Sequence, residues 1–220
     1  MTSGPSDRIR VRRNPKRGRY ERSEIEAILD RALVGHVAFV DDERPVCIPM
    51  LCAHLAGRIL VHGSRASRAV RVLAGGVPAC LTVTNVHGLV LARSVFEHSA
   101  NYESVVAFGR FVEIDDSKER LAALEALTEK LLPGRWREAR LPSAKELKAT
   151  AVLAMPVEEA SAKLRAGPPD DDDTDDAALD VWAGELPILT AFGAPVASPG
   201  LRPGIPLPPS VLRLAAAEQR

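Results

Sequence analysis

The chain has 220 residues, of which 46% are hydrophobic and 26% charged, proportions typical of one globular core with elaborations rather than two full domains. Lysine plus arginine and aspartate plus glutamate both number 29, so the formal net charge is zero. A neutral chain has no overall electrostatic attraction for nucleic acid or an anionic membrane. Neither partner is therefore expected.

The charges are nevertheless unevenly placed. Residues 8–22 carry eight basic side chains, and residues 170–176 read DDDDTDD. We interpret both stretches as solvated and flexible, and we predict a flexible basic leader over residues 1–22. A basic arm that binds nucleic acid stays open as an alternative.

The cysteines indicate a reducing environment. Cys47, Cys52 and Cys80 form no CxxC pair, and an odd number does not suit a disulfide framework. The polar N-terminus has no apolar signal segment, and no run approaches the roughly 20 apolar residues of a membrane helix. We expect a cytoplasmic protein.

The first half of the chain predicts one helix followed by a series of strands. Apolar residues recur on one face over residues 24–33, and Ser23 with Glu26 predicts a capping box. Six β-favouring runs follow at 36–40, 45–51, 58–63, 79–84, 88–93 and 103–114. The turns between several of them, including Val86 to Gly88, are short enough for antiparallel hairpins. This rhythm favours a barrel or sandwich over a doubly wound parallel sheet.

Three helical or capped segments interrupt or follow these strands. A short helix is predicted over 67–73, a longer one over 116–132 with Asp116 as its cap, and a capped turn at Ser143. A seventh strand is predicted over 150–158. We place a barrel domain at 23–166, and an acidic run with a proline-rich arm at 167–220, packing on the barrel or on a partner subunit.

Several common active-site motifs are absent from the sequence. It contains no GxGxxG, GxxxxGK[ST], HExxH or GxSxG. The five histidines do not pair with one another or with cysteine at metal-ligand spacing, so no metal site is expected.

The segment HGSRASRAVRVL, residues 62–73, is the most informative stretch. It places two serines and two arginines, Ser64, Arg65, Ser67 and Arg68, between a strand end and a helix N-terminus. Backbone N–H groups, hydroxyls and guanidinium groups at such a position bind phosphate. The alternative is that a serine only caps the helix and that the arginines are solvated.

Two further stretches have compositions suited to a ligand pocket. PVCIPML, residues 45–51, has few polar side chains and could line a planar ring, although a core strand has the same composition. Polar residues from Arg93 to Glu103 separate two apolar strands and could contact a ligand at the open end of a barrel, or form a surface loop.

In combination these residues resemble the pyridoxamine 5′-phosphate oxidase-like superfamily, in particular its flavin-nucleotide-binding branch that includes nitroimidazole-resistance proteins. The resemblance covers roughly Arg19 to Pro187. It rests on the ordered motifs PVCIPM, LVHGSRASR, TVTNVHGLVLARS, HSANYESVVAFG, ELKATAVL, SAKLRAGPP and WAGELP.

The resemblance implies a mainly β fold, an antiparallel, Greek-key FMN-binding split barrel with flanking helices, usually a homodimer with flavin at the subunit interface. Ser67 and Arg68 match the family's phosphate-binding pair; the first is a serine here, so Arg65 or Arg71 is expected to supply a second charge. The other positions that the resemblance assigns to the cofactor are Val46, Cys47, Ile48, Pro49, Val61, His62, Gly63, Ser64, Ser104 and Trp182.

The activity implied is that of a flavin-dependent oxidoreductase, which passes electrons from NAD(P)H to a small nitro- or quinone-type acceptor, with His62 or His98 as proton donor. The C-terminus lacks the arginine-rich aromatic ending of true oxidases, so pyridoxal phosphate synthesis is not expected. FMN is the expected cofactor, with FAD, deazaflavin and haem as alternatives. A second hypothesis is a carrier or sensor that binds such a cofactor without turnover.

Overall fold

The computed structural model describes residues 5–157, 159–171 and 175–217. Those residues form ten strands and five α-helices. The strands are β1 (Gly18–Arg19), β2 (Val34–Asp41), β3 (Arg44–Leu55), β4 (Arg58–Ser64), β5 (Pro78–Leu91), β6 (Ser99–Arg110), β7 (Val112–Glu113), β8 (Thr150–Pro156), β9 (Glu159–Arg165) and β10 (Gly184–Pro187). The helices are α1 (Arg22–Arg31), α2 (Arg68–Ala74), α3 (Ser117–Leu131), α4 (Ala144–Ala149) and α5 (Pro209–Ala217).

The strands form one antiparallel sheet that curls into a half-barrel. Their order is β1-β9-β6-β5-β2-β3-β4-β8-β7, with β10 paired to β5. Strands β2, β3 and β4 are consecutive neighbours, and β5 returns through α2 to lie on the other side of β2, which is the Greek-key connection. The predicted fold class, an antiparallel split barrel with flanking helices, is confirmed.

The barrel interior is a continuous hydrophobic core. Alternate side chains of the strands point inward, and those of Val37, Val61, Leu81 and Val105 have no exposed surface. Helix α1 closes one end with Ile25, Ile28 and Leu29, the face that the sequence predicts. Each such side chain stabilises the fold by roughly 1.5–3 kcal/mol relative to exposure.

A second cluster lies between the outer face of β4 and β8 and helix α3. Leu60 and Val152 face Leu127 of α3 across this layer. Asp116 caps α3 by accepting hydrogen bonds from the Lys118 and Glu119 amides at 3.0 and 2.8 Å, as predicted. The predicted cap at Ser143 is also confirmed, as a capping box with Glu146.

The predicted capping box of α1 is wrong. The helix begins at Arg22, so Ser23 lies inside it and Glu21 occupies the cap without a side-chain hydrogen bond. The Glu26 carboxylate pairs with Arg22 at 2.7 Å instead. The first turn of α1 is therefore stabilised by an (i, i+4) ion pair and not by a capping box.

The predicted hairpin at Val86–Gly88 is wrong as well. Strand β5 runs through this point, and its register against β6 shifts between Val86 and Gly88, as in a β-bulge. A Cβ on Gly88 would lie 3.0 Å from the Leu186 carbonyl oxygen, so the glycine admits the close approach of β10. The polar stretch from Arg93 to Glu103, for which a surface loop was one interpretation, belongs in part to β6, which begins at Ser99. Strand β9 was not predicted from the sequence.

Both terminal segments contact the sheet. Strand β1 pairs with β9, and the guanidinium of Arg8 lies 4.4 Å from the centre of the Phe108 ring, so part of the predicted leader contacts the barrel. Asp171 is completely buried, which contradicts the interpretation of the whole acidic run as solvated. Its carboxylate accepts a hydrogen bond from the Arg93 amide at 2.6 Å. Residues 172–174 lie outside the described part of the chain, and the domain boundaries stay predictions.

The C-terminal arm touches the rest of the chain at its two ends. Strand β10 pairs with residues 88–91 of β5, and the Ser210 amide at the start of α5 donates to the Glu138 carboxylate at 2.9 Å. Within the described ranges, no helix is both long and apolar enough to cross a membrane.

Candidate functional site

Strands β3 and β4 separate part-way along their length. They pair only where residues 52–55 lie against residues 58–61. Before Cys52, β3 pairs with β2 alone among the described strands, and after Val61, β4 pairs with β8 alone. The facing backbone edges of residues 44–51 and 62–64 therefore diverge, and we call the opening between them the wedge.

The wedge side of β3 is the segment that the sequence assigns to a planar ring. Val46 and Ile48 turn their side chains toward the core, whereas Cys47 and Pro49 point outward and are exposed. Pro49 has no N–H to leave unpaired at this edge. The strand thus offers apolar side chains and backbone carbonyl groups, as expected for contacts to a flat aromatic system.

The end of β4 packs tightly against α2. The Val61 side chain is fully buried, so only the backbone of this residue can reach the wedge. A Cβ on Gly63 would lie 2.8 Å from Cγ2 of Val70, too close for a real contact. Glycine at this position therefore lets α2 lie directly against β4. The residues of the predicted phosphate site form the connection between these two elements along the chain.

Residues 64–67 form a hydrogen-bonded turn. The Ser67 amide donates to the Ser64 carbonyl at 2.9 Å, and the Ala66 amide donates to the Ser64 hydroxyl at 3.2 Å. Ser67 occupies the N-cap position of α2, but its side chain makes no capping hydrogen bond. The Ser67 hydroxyl remains available to donate to a ligand, contrary to the alternative in which it only caps the helix.

Two of the arginines of this segment have acidic partners. Arg65 pairs with Glu113 of β7, and Arg68 pairs with Asp41 at the end of β2. Arg71 is exposed and, among the described residues, forms no ion pair. The charge of the segment is thus partly neutralised by carboxylates, a feature that the sequence did not predict because both acids are distant along the chain.

His62 lies in a cleft on the other side of β4. The cleft has a volume of about 350 Å³ and is lined by His62, Leu124, Thr128, Trp136, Ala139, Arg140, Pro142, Glu146, Leu147 and Thr150. The Nδ1 atom is buried without a hydrogen-bond partner among the described residues. Burial lowers the pKa of His62 below its ordinary value, so the imidazole is neutral at pH 7.

The structure does not bring the remaining predicted residues to the wedge of the same chain. Ser104 lies three strands from β3 on the outer face of the sheet, a separation of about 14 Å at ordinary strand spacing. Its hydroxyl donates to the Lys163 carbonyl at 3.3 Å. His98 and Trp182 are exposed near the far end of β5, where the Ala92 amide donates to His98 and β10 pairs.

Arg120 and Lys148 were missed by the sequence reasoning. They lie beside Arg65 in a second cleft between α3 and α4. The caps at Asp116 and Ser143 predict where the two helices begin in the sequence. They do not predict that α3 and α4 lie side by side and form a cleft. In the described part of the chain, no group of three or more His, Cys, Asp or Glu residues could hold a metal ion.

A split barrel that opens between two strands, with serines and arginines at the end of one of them, defines the class of flavin-nucleotide-binding barrels. A family model described as pyridoxamine 5′-phosphate oxidase matches residues 21–164, and the chain belongs to this family. The predicted membership of this flavin-binding superfamily is confirmed. No curated protein matches the chain.

Two solved structures resemble the chain over nearly its whole length. The FAD and heme binding protein from Mycobacterium smegmatis is 40% identical with a TM-score of 0.85, covering 90% of this chain and 97% of that one. The flavocytochrome Anf3 from Azotobacter vinelandii is 36% identical with a TM-score of 0.89, covering 96% and 97%.

A third structure shares the fold. A candidate 5-nitroimidazole antibiotic resistance protein from Bacteroides thetaiotaomicron is 20% identical with a TM-score of 0.56, covering 66% of this chain and 85% of that one.

Proposed function

We propose that this protein binds FMN or FAD in the wedge and transfers electrons from a nicotinamide donor to a small acceptor of the nitro or quinone type. The observation that carries the proposal is the divergence of β3 from β4, with the Ser64–Arg68 turn at the end of β4. Family membership and two relatives described as an FAD and heme binding protein and a flavocytochrome support it.

The residues present fit such a cofactor. The backbone of residues 46–49 has no strand partner on the wedge side in the described structure, so the carbonyl groups that point away from β2 are available to the polar edge of a flavin ring. The Ser67 hydroxyl and the Arg68 guanidinium would hold the phosphate. When bound, a flavin supplies the hydride and electron transfer, and the protein orients it and excludes water.

His62 is a poor proton donor in this scheme. Its lowered pKa leaves it neutral near pH 7, and a neutral imidazole accepts or relays a proton more readily than it supplies one. His98 is exposed and far from the wedge of its own chain. We therefore expect solvent to deliver the proton to a reduced flavin unless a second subunit brings His98 near it.

The active form is proposed to be a homodimer. The arm after β10 exposes large apolar side chains, among them Leu189 at 87% and Val196 at 94% exposure, which water solvates poorly. A second copy would cover them and could place Trp182 and Ser104 at the partner's wedge. Light scattering at twice the chain mass supports this arrangement, and a monomer at micromolar concentration contradicts it.

Reduction by a nicotinamide tests the proposed activity. The protein loaded with FMN or FAD is expected to lose its flavin absorbance when NADPH or NADH is added without oxygen, and to regain it with a nitroaromatic or quinone. A flavin that stays oxidised with both donors would limit the protein to binding, as in the alternative of a carrier or sensor. Deazaflavin is distinguished from flavin by its own absorption spectrum.

A specific observation favours haem as a second ligand. The His62 side chain lines a cleft together with Trp136 and Leu124, and an imidazole beside apolar side chains is the kind of group that binds haem iron next to its macrocycle. We expect a Soret band on haem addition that is lost in His62→Ala and retained in His98→Ala. Equal Soret bands in both variants would assign the ligand elsewhere.

A further inference from the structure

A cleft lies between the basic leader (residues 1–22) and the end of β9, and the proposed flavin site does not use it. It has a volume of about 770 Å³ and is lined by Asn14, Pro15, Lys16, Arg17, Arg19, Leu164, Arg165, Ala166 and Asp170. We call it the leader cleft. Strand β9 lies four strands from β3, about 19 Å along the sheet at ordinary strand spacing, so the leader cleft is separate from the wedge of the same chain.

Arg165 gives the leader cleft a buried cation. The residue is only 6% exposed, and its guanidinium donates to the Asn101 side chain at 2.6 Å and to the Gly167 and Pro168 carbonyl oxygens at 2.9 and 3.0 Å. These acceptors are neutral, and the buried Nε atom has no partner among the described residues. Asn101 in turn donates to Glu185, whose carboxylate does not reach Arg165 within the 4.0 Å of a salt bridge. A buried charge without a counter-ion is costly, so an anion nearby would stabilise it.

The leader contributes three more cations to the cleft. Lys16 and Arg17 belong to a 3-10 turn at residues 15–17, and Arg19 belongs to β1. The guanidinium groups of Arg17 and Arg19 each lie 3.7 Å from a carboxylate, that of Asp170 and that of Glu24 respectively, which is longer than a hydrogen bond. Lys16 forms no ion pair in the described part of the chain. Such partly exposed pairs are weak, so an incoming anion can compete for these cations.

The charges around the leader cleft do not balance. Its four cations stand against the two carboxylates of Asp170 and Glu24, which leaves an excess of two positive charges among the described residues. Asn14 adds a side-chain amide that makes no capping hydrogen bond, and Leu164 and Ala166 add apolar surface. Phosphate groups match this set, because their oxygens accept charge-assisted hydrogen bonds from several guanidinium and amide groups at once.

We propose that the leader cleft binds a small phosphorylated molecule, distinct from the flavin, that carries at least two negative charges. Lys16 and Arg17 contact its phosphate oxygens, and Arg165 supplies a fixed positive charge behind them. The ligand neutralises the excess charge and joins the leader to β9, so it also stabilises the folded chain. This site is independent of flavin binding at the wedge. A free phosphorylated metabolite and NADPH both carry the required groups.

The test is a calorimetric titration of the full chain with inorganic pyrophosphate at low salt. We expect a saturable site that persists in Arg68→Glu, a change at the flavin phosphate turn. The double variant Lys16→Gln/Arg17→Gln should bind at least about tenfold more weakly, because charge-assisted contacts are lost. The matched control is Arg12→Gln/Arg13→Gln, which removes two exposed leader charges that do not line the cleft, and it should bind as wild type does.

Thermal unfolding provides a second measurement on the same proteins. Pyrophosphate should raise the unfolding midpoint of wild type and of Arg12→Gln/Arg13→Gln, and should leave that of Lys16→Gln/Arg17→Gln nearly unchanged. Matching midpoints of all variants without pyrophosphate would show that they are folded. Displacement of pyrophosphate by NADPH supports the site with NADPH as the source of the phosphate. Pyrophosphate binding that NADPH leaves unchanged supports a free phosphorylated metabolite.

Three results would overturn the proposal. One is equal pyrophosphate affinity in wild type and Lys16→Gln/Arg17→Gln, and another is loss of binding in Arg68→Glu, which would assign the anion to the flavin phosphate turn. The third is equal weakening in both leader variants, which would indicate diffuse attraction along the basic run. If a short DNA duplex also displaces pyrophosphate in that case, the leader is a nucleic-acid arm and not a small-molecule site.

Discussion

Arg65 forms an ion pair with Glu113, so a carboxylate lies next to one of the cations of the predicted phosphate site. Glu113 lies on β7, a two-residue strand at the edge of the sheet, and it is only partly exposed. The ion pair holds the Arg65 guanidinium between the turn at residues 64–67 and the cleft between α3 and α4. It also lowers the positive potential that an incoming phosphate meets.

Removal of this carboxylate should strengthen phosphate binding. We predict that Glu113→Gln raises FMN affinity about threefold to tenfold, because Arg65 would then be free to contact the phosphate. A flavin titration at low and high salt measures the gain, which should shrink as salt screens the charge. Unchanged affinity in Glu113→Gln at low salt would show that Arg65 does not face the cofactor.

The contact between β4 and α2 allows no side chain at residue 63. We predict that Gly63→Ala lowers the free energy of unfolding by about 1–3 kcal/mol, since its methyl group would overlap Val70. Val70→Ala alone should also destabilise the fold, by loss of buried surface. In urea titrations, adding Gly63→Ala to Val70→Ala should cost much less than adding it to wild type. Simple additivity of the two substitutions would contradict the proposed overlap.

Arg31 and Glu103 join helix α1 to the barrel. The Arg31 guanidinium donates to Glu103 at 2.7 and 2.6 Å, and these bonds hold the pKa of this buried carboxyl below its ordinary value. We predict that Arg31→Ala costs on the order of 2 kcal/mol, because the carboxylate would stay buried with fewer partners. Arg22→Ala, which breaks the more exposed pair with Glu26, is the control and should cost less than about 1 kcal/mol.

The ion pair between Arg31 and Glu103 makes the free energy of unfolding depend on pH. A carboxyl with a lowered folded-state pKa stabilises the fold above its unfolded pKa, and this contribution disappears as the pH falls through the folded value. The difference in stability between wild type and Arg31→Ala should therefore narrow in the acidic range below about pH 4.5. If the difference in stability between the two proteins stays constant from pH 7 to pH 3, the ion pair between Arg31 and Glu103 is not its cause.

His62 should make the cofactor-free protein sensitive to mild acid. Burial lowers the folded-state pKa of a histidine, so the unfolded chain binds the proton first, near pH 6.5. Stability is then lost as the pH falls below that value, by up to about 1.4 kcal/mol per pH unit. His62→Leu removes the titration, and its unfolding midpoint should change less between pH 7.5 and 5.5. Parallel pH profiles for the two proteins would place the titrating group elsewhere.

The sequence predicted the fold class and most elements because their signals are local. Asp116 and Ser143 cap helices through hydrogen bonds within four residues, and the inward face of α1 follows from its spacing. The hairpin at Val86–Gly88 failed for a non-local reason. Gly88 has the composition of a turn, but its lack of a side chain serves the approach of β10 from about 100 residues later.

The candidate site was predictable only in its sequence-contiguous part. The turn at residues 64–67 and the exposed edge of β3 follow from short segments. Other parts of the site depend on packing between elements that are distant along the chain, and the spacing of residues in the sequence does not predict such packing. These parts are the acidic partners of Arg65 and Arg68, the burial of His62 and the cleft between α3 and α4. Ser104 and Trp182 could be assigned by resemblance alone, and one chain does not bring them to the wedge.

Flavin binding at the wedge is the central claim, and a titration of cofactor-free protein with FMN tests it most directly. We predict one flavin per chain, a shift of the flavin absorbance on binding, and at least about tenfold weaker affinity in Arg68→Glu, because a carboxylate would face the phosphate. Arg137→Glu, exposed and away from the turn, should bind as wild type does. A protein that never takes up FMN or FAD, or equal affinities in Arg68→Glu and Arg137→Glu, would contradict the account.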